Sequence, residues 1–411
     1  MLSRRARVAA GVADQAVNSG TNFATAFIAG RLLSPDHFGI FILALSAGYV
    51  ALGVQRAVVG DPLLAYASAF DGDERRGLIR DAVTSALVVG VAVALLGLGA
   101  WATGSAETRD VVWLVPWIPA VLVQDAGRYA FLCARRPDRA LALDVAWAVV
   151  QGVAVAVVIT NGWSSPAALA ATWGIGGLGG AVAYLLMTRT LPWQGSPRRW
   201  LSRSGHLSGW FTPSALLSQT QYQIVLVLVA TLLSPAATGA LRAIQLLVLQ
   251  PVQTTIIAMT SLLVPRAAAL AATREFDELR RSTWRLAGLF AAVGMLALLA
   301  IPLRHVILSL LFPHFSAYAG LFPPVAVQAV MYAFAAPLTA CLRGLQRARD
   351  LFVVQVIFAA ATLTAVFSAS TAGTAVAVAW GLTAAGGVLV TATALTCRRE
   401  LARASRGQPI G

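Results

Sequence analysis

"RLLSPDHFGIF", Arg31 to Phe41, returns 200 positions later as "TLLSPAATGAL", Thr231 to Leu241. Leu, Leu, Ser and Pro recur in order, and in both copies a Gly stands four residues after the Pro. The offset is close to half of the 411 residues. A turn repeated at the same station of each half predicts a duplicated scaffold. The Pro and Gly of each copy read as a helix stop followed by a tight turn.

The flanks of both copies are apolar, and so is most of the chain. Hydrophobic residues make up 58% of it and charged residues 12%, against about 45–50% and about 25% in soluble domains. So few charges cannot cover a water-facing surface, so the excess apolar surface needs lipid. The chain is expected to be an all-α polytopic membrane protein. With about 20 apolar residues per crossing, about twelve transmembrane helices are predicted, roughly at 9–33, 38–59, 82–103, 111–133, 140–160, 166–188, 209–233, 237–264, 286–303, 317–341, 351–369 and 373–396. Spans such as "GIGGLGGAVAYLL" are rich in small residues, which let helix backbones approach closely in lipid. No cleavable signal peptide is visible at the N-terminus.

Six spans separate the two copies of the turn, and an even number returns the chain to the same side in the same direction. The predicted architecture is therefore two parallel six-helix lobes around a central cavity, residues 1–205 with an inner linker and residues 206–411 with a basic tail. A fainter echo supports the duplication. "CARRPDRALALDV" follows the fourth span and "CLRGLQRARDLFVV" the tenth, both Arg-rich turns leading into another helix.

Charge tests this map independently. All 31 basic residues are Arg. Twenty-five of them fall in segments placed on one side, around Arg4, Arg75, Arg135, Arg198, Arg280, Arg347 and Arg398. Arg31, Arg109 and Arg304 lie at the other side, and Arg56, Arg128 and Arg242 lie inside spans. The positive-inside rule then places both termini in the cytoplasm, in a bacterial cytoplasmic (inner) membrane. The net charge of +14 is mainly a topology signal. Arginines dispersed over short loops argue against nucleic acid as a partner.

Enzyme chemistry finds no footing. A P-loop needs a Lys, and the chain has none. No zinc-protease or nucleophile-elbow motif occurs. Cys133, Cys341 and Cys397 are scattered, and His37, His206, His305 and His314 are isolated, so neither metal nor disulfide framework is expected. No catalytic residue and no cofactor is predicted. A membrane glycosyltransferase usually carries acidic residues in sizeable outer loops, and here those loops are short.

"AGRLLSPDHFGIF" after a polar first span, and "ATGALRAIQLLVLQPVQTT" followed by "LLVPRAAALA", resemble the polysaccharide and lipid-linked oligosaccharide flippases of the multidrug/oligosaccharidyl-lipid/polysaccharide exporter (MOP) superfamily. The resemblance implies two lobes that alternate between inward-open and outward-open states and carry a lipid-linked glycan to the outer leaflet. Its partners would be that glycan, membrane lipids and glycan-assembly enzymes. The runner-up is a cation-coupled multidrug or small-molecule antiporter of the same superfamily. A major facilitator carrier fits less well, because "DGDERRGLIRD" matches that family's loop only in shuffled form.

Polar residues inside spans are costly and mark candidate sites. Asp14, Asn18 and Asn22 share one face of the first span at i, i+4 and i+8. They either line the cavity, with Asp14 as a proton or cation site, or bond to a neighbouring helix. Gln219 and Gln223 share a face of the seventh span, where uncharged amides suit sugar hydroxyls. Arg242, Gln245 and Gln253 share a face of the eighth. Arg56 and Arg242 are expected in the cavity, where a guanidinium fork fits phosphate oxygens. Arg128 is expected to pair with Asp125 one turn away, and Asp144 with Arg139 or Arg128.

Overall fold

A computed structural model describes residues 4–64, 70, 72–103, 111–345 and 347–406, apart from the side chains of residues 4–9, 12, 15, 111, 205–215, 218–220, 257–262, 265 and 348. Among the described residues there are helices and no strands. The helices are α1 (Arg4–Leu32), α2 (Pro35–Gln55), α3 (Gly72–Ala102), α4 (Ile118–Cys133), α5 (Pro137–Thr160), α6 (Pro166–Thr188), α7 (Pro197–Leu232), α8 (Pro235–Ala272), α9 (Phe276–Gly294), α10 (Arg304–Leu311), α11 (Phe322–Gly344), α12 (Ala348–Ser370) and α13 (Ala375–Ser405). Every expected span falls on a helical segment, and eight of these helices are long and apolar enough to cross a bilayer among the described residues. The other segments are more polar or are broken by geometry. α1, α7 and α8 carry polar residues along their length. The 111–133 span is split by a 3₁₀ turn at Val111–Trp117 that contains Pro116. Leu96 and Leu186 stand 74% and 73% exposed, as side chains that face lipid do and side chains that face water rarely do in such number. The chain is a multi-pass membrane protein.

The repeated turn has the same atoms in both copies: α1 stops at Leu32 and α7 at Leu232, as expected, and the Ser-Pro pair also starts the next helix. Ser34 caps α2 by accepting the His37 N–H, with Pro35 as the first helical residue. Ser234 caps α8 by accepting the Ala237 N–H, with Pro235 in the same place. Ser supplies an acceptor for an orphaned N–H, and Pro lacks an N–H that would be orphaned there. The motif is therefore a helix start as well as a helix stop, with the Pro serving the start. Gly39 and Gly239 are buried within the helices that follow, not in the turns. The second echo is also geometric. The Arg136 N–H reaches back to the Phe131 carbonyl and the Arg347 N–H to the Leu342 carbonyl, at 2.8 and 3.0 Å. Both close the end of one helix in the six-residue manner that satisfies its last carbonyls.

The chain divides into two compact units, Met1–Leu226 and Val227–Gly411, with the division inside α7. The first unit, unit 1, packs α1 on α5, α4 on α3 and α6, and α5 on α6. Its apolar core gathers Leu78, Val123, Leu143, Tyr184 and Trp200. In unit 2, α11 packs against α8, α9 and α13, around Leu279, Leu338, Leu342 and Leu401. The connection expected as a short loop after residue 303 is instead helix α10 and a 3₁₀ stretch, Pro313–Leu321.

Candidate functional site

The polar groups of unit 1 converge from five helices. α1 contributes the stripe predicted from its spacing. Asn18 and Asn22 are hydrogen-bonded to each other at 3.4 Å, and the Tyr49 hydroxyl of α2 donates to the Asn22 oxygen at 3.2 Å. α5 brings Asp144, which accepts from Asn18 at 3.3 Å and from Gln124 of α4 at 3.0 Å. α4 also brings Asp125 and Arg128. α2 ends in a π-helical stretch, Arg56–Gly60, and α6 supplies Trp173. Together Asn18, Asn22, Tyr49, Arg56, Asp144 and Trp173 line a cavity of about 80 Å³.

Small residues on α6 make this approach possible. A Cβ on Gly180 would lie 2.5 Å from the Gln124 Cγ, and one on Gly177 would lie 2.4 Å from Val121. The glycines thus let α4 press on α6 closely enough to aim Gln124 at Asp144.

The charges pair differently from the sequence expectation. Asp125 does not bind Arg128. It is held by Arg56, whose Nε and Nη2 donate to its two oxygens at 3.1 and 2.7 Å. Arg128 turns instead to Asp14, at 2.6 Å from Nη2, and to Asp144, at 3.2 Å from Nε. Neighbours at i and i+3 on one helix meet edge to edge at best, whereas residues from facing helices can meet fork to fork, and the stronger bidentate geometry wins. Arg139, the other partner considered for Asp144, lies over the Phe131 ring at 5.7 Å. Asp14, Asp125 and Asp144 are each no more than 4% exposed. Three buried carboxylates therefore meet two guanidiniums, and Asp14 Oδ1 has no hydrogen-bond partner among the described residues. The cluster thus carries one more carboxylate than guanidinium.

The turn that carries Arg56 is tied to a distant residue. The π-helical stretch swings the guanidinium towards α4, and the Trp200 indole N–H of α7 donates to the Val58 carbonyl within that stretch at 3.2 Å. Trp200 is fully buried. The start of its helix is tied to α3, where Asp81 accepts from the Ser196 N–H at 2.8 Å and meets Arg199 at 2.9 Å. Gln55, immediately before the π-helical turn, is fully buried, and neither amide atom has a partner among the described residues. Single π-turns with such unsatisfied neighbours recur at functional positions.

Of the residues singled out by spacing, Asn18, Asn22 and Arg56 share the cavity, and Asp14 belongs to the ion cluster beside it. Gln223, on the unit 1 part of α7, is half-buried and does not line the unit 1 cavity. In unit 2, Gln245 is buried and Arg242 and Gln253 are half-buried. None of these three lines the two cavities described in that unit. The Gln219 side chain lies outside the described residues. Tyr49, Trp147 and Trp173 were not legible as site residues, because an aromatic in an apolar span looks like core. Their rings meet edge to face, Tyr49 on Trp173 at 5.7 Å and Trp147 on Trp173 at 5.4 Å. The amide of Gln124, next to Asp125 in "VQDAGR", was the visible hint that α4 carried more than an ion pair.

No protein-family model matches the chain, and no curated protein matches it. Solved structures do. An inward-facing multidrug resistance MATE family transporter of the MOP superfamily is 14% identical, with 95% of this chain and 96% of that one covered at a TM-score of 0.75. The lipid II flippase MurJ, in an inward closed conformation, is 10% identical, with 95% and 89% covered at 0.71. A MOP superfamily transporter from Pyrococcus furiosus, described by a reversed polarity of its binding pocket, is 13% identical, with 96% and 94% covered at 0.64. The chain shares the fold of MOP transporters. Identities this low carry the fold and leave the cargo open.

Proposed function

We propose that the chain is a flippase that moves a lipid-linked oligosaccharide or polysaccharide precursor across the bacterial cytoplasmic membrane by alternating access. The observation that carries this is the character of the unit 1 cavity. Its one arginine, Arg56, is already answered by Asp125, so beside Asp144 the cavity offers amides, hydroxyls and aromatic faces to a cargo. Sugar hydroxyls both donate and accept, and amides do the same. Aromatic faces cover the apolar side of a sugar ring.

The ion cluster supplies a coupling route. Loading a proton or a small cation onto Asp14 and Asp144 balances Arg128 and the neighbouring pair, so entry of the ion and rearrangement of the cluster are linked. Asp14→Asn removes the surplus charge. It is expected to leave glycan movement that no longer responds to an imposed proton or sodium gradient.

The test is reconstitution in proteoliposomes with a fluorescent lipid-linked oligosaccharide and a leaflet-specific quencher. Wild type is expected to move the lipid, and Asn22→Ala with Trp173→Ala to slow it by about tenfold or more, as loss of a hydrogen bond at ~1 kcal/mol and of ring contacts predicts. A second reading, a small-molecule cation antiporter, is favoured by the excess of carboxylates and by rings able to face a cation. Gradient-driven movement of a soluble organic cation, with the glycan lipid left in place, would establish it instead.

A further inference from the structure

Unit 2 contains a cavity of another kind, about 470 Å³, between α8, α9, α10 and α11. Two irregularities open it. Pro251 stands inside α8, where it has no N–H to give to the Leu247 carbonyl and its ring crowds that carbonyl. Both residues line the cavity. Beyond Gly294, α9 tightens into a 3₁₀ turn, Met295–Ala300, which draws Leu296, Ala297 and Ala300 around the space. A Cβ at Gly294 would stand 3.0 Å from both Ala333 and the Val330 backbone, so α9 is pinned to α11 at the point where its path changes.

The lining is aliphatic apart from the rings of Phe290 and Phe322. Its one hydroxyl, Thr255, donates to the Pro251 carbonyl at 3.0 Å. Leu289, Val293 and Leu296 line the cavity and are also 57%, 50% and 62% exposed. Leu299, Leu303, Val306 and Leu310 continue the exposed apolar band around them. The mouth thus opens to the hydrocarbon of the bilayer, and what enters is an alkyl chain. At roughly 30 Å³ for each group the size of a water, 470 Å³ holds about sixteen methylenes. That is one acyl chain, not two, and far less than a long polyprenyl tail.

A charge marks one end. Arg304, Ile307 and Leu311 share a face of α10 at i, i+3 and i+7, and Ile307 and Leu311 line the cavity. Arg304 uses Nη1 to donate to the Ile301 carbonyl, which leaves the other donors of its fork for an anion. We propose that unit 2 binds a membrane phospholipid, with one acyl chain in this cavity and its phosphate at Arg304. An alkyl chain gains no hydrophobic transfer on leaving lipid for leucine. Retention therefore rests on shape and on the phosphate, and it depends on the headgroup.

The test uses the full chain in phosphatidylcholine nanodiscs with trace phosphatidylglycerol carrying a diazirine on one acyl chain, or diacylglycerol with the same chain. After irradiation, labelled peptides are mapped. Labels are expected to concentrate on residues 247–256 and 289–300, severalfold above the exposed face of α12 at Val353, Val356 and Ile357. Thr255→Phe and Ala297→Phe fill the cavity from opposite walls, and each is expected to remove that excess while monodispersity and melting temperature report the fold. Arg304→Ala is expected to lower phosphatidylglycerol labelling to the diacylglycerol level. Labelling spread evenly over the lipid-facing helices and indifferent to both filling variants would overturn the site. So would competition by polyprenyl pyrophosphate at concentrations where added phosphatidylglycerol does not compete, which would give the cavity to the cargo. The outcome is independent of glycan movement, so its failure and that of the transport function are told apart.

Discussion

Units 1 and 2 begin alike and end unlike. The same Ser cap and first-turn Pro launch α2 and α8. Yet the small cavity of unit 1 is walled by amides, carboxylates and indoles, and the larger one of unit 2 by leucine, valine and alanine. The strongest buried ion pairing described in unit 2 is confined to Glu400, which meets Arg347 and Arg403 near the end of α13. Backbone devices that start and stop helices survive duplication because they depend on a few local atoms. Interiors diverge because any face turned inward can be re-equipped without touching the caps.

The largest effect should come from breaking the charge balance of unit 1. Arg128→Leu leaves Asp14 and Asp144 buried without their cation, and removal of one partner of a buried pair costs about 3–5 kcal/mol. Thermal unfolding in detergent should show this loss. The corresponding change in unit 2, Arg403→Leu, should cost about 1 kcal/mol or less, because that guanidinium is 61% exposed and screened. Equal losses would erase the contrast between the units.

A smaller effect isolates the positioning of Arg56. Trp200→Phe keeps a ring in the core, removes the donor to the Val58 carbonyl and leaves a small void where the rest of the indole stood. The lost hydrogen bond should cost about 1 kcal/mol in stability, and the variant should slow glycan movement at saturating substrate. A purely structural role would lower the amount of folded protein and leave the rate per folded molecule unchanged. Gln55→Leu should act in the opposite direction on stability. An orphaned amide replaced by an apolar group of similar size is neutral to stabilising, by up to about 1–2 kcal/mol, while transport falls if the amide finds its partner in another state of the cycle. The smallest effect is expected at Arg76→Ala. Its pair with Asp73 joins side chains that are 71% and 96% exposed, and such pairs contribute about 0.5 kcal/mol or less.

The membrane class, the helical segments and the duplicated turn were legible because they follow from composition, length and period, which are local. Two of three intramembrane pairings were not. The sequence offered Asp125 and Arg128 one turn apart, and the fold separated them because α2 delivers a second guanidinium to one and α1 and α5 deliver carboxylates to the other. The polar stripe of α1 was visible from spacing, but its neighbours Tyr49, Trp147 and Trp173 were not, since burial against core and burial against a cavity leave the same letters.

The sequence alone therefore determined that lipid surrounds this chain, where its helices run and that they begin twice in the same way, because those properties are summed or repeated along the backbone. Only the tertiary structure decided which carboxylate answers which arginine, that a glycine ridge on α6 brings Gln124 to Asp144, and that Pro251 and a tightened helix leave an alkyl-lined space. Each of these depends on distances between segments far apart in the chain, and those distances are fixed by packing.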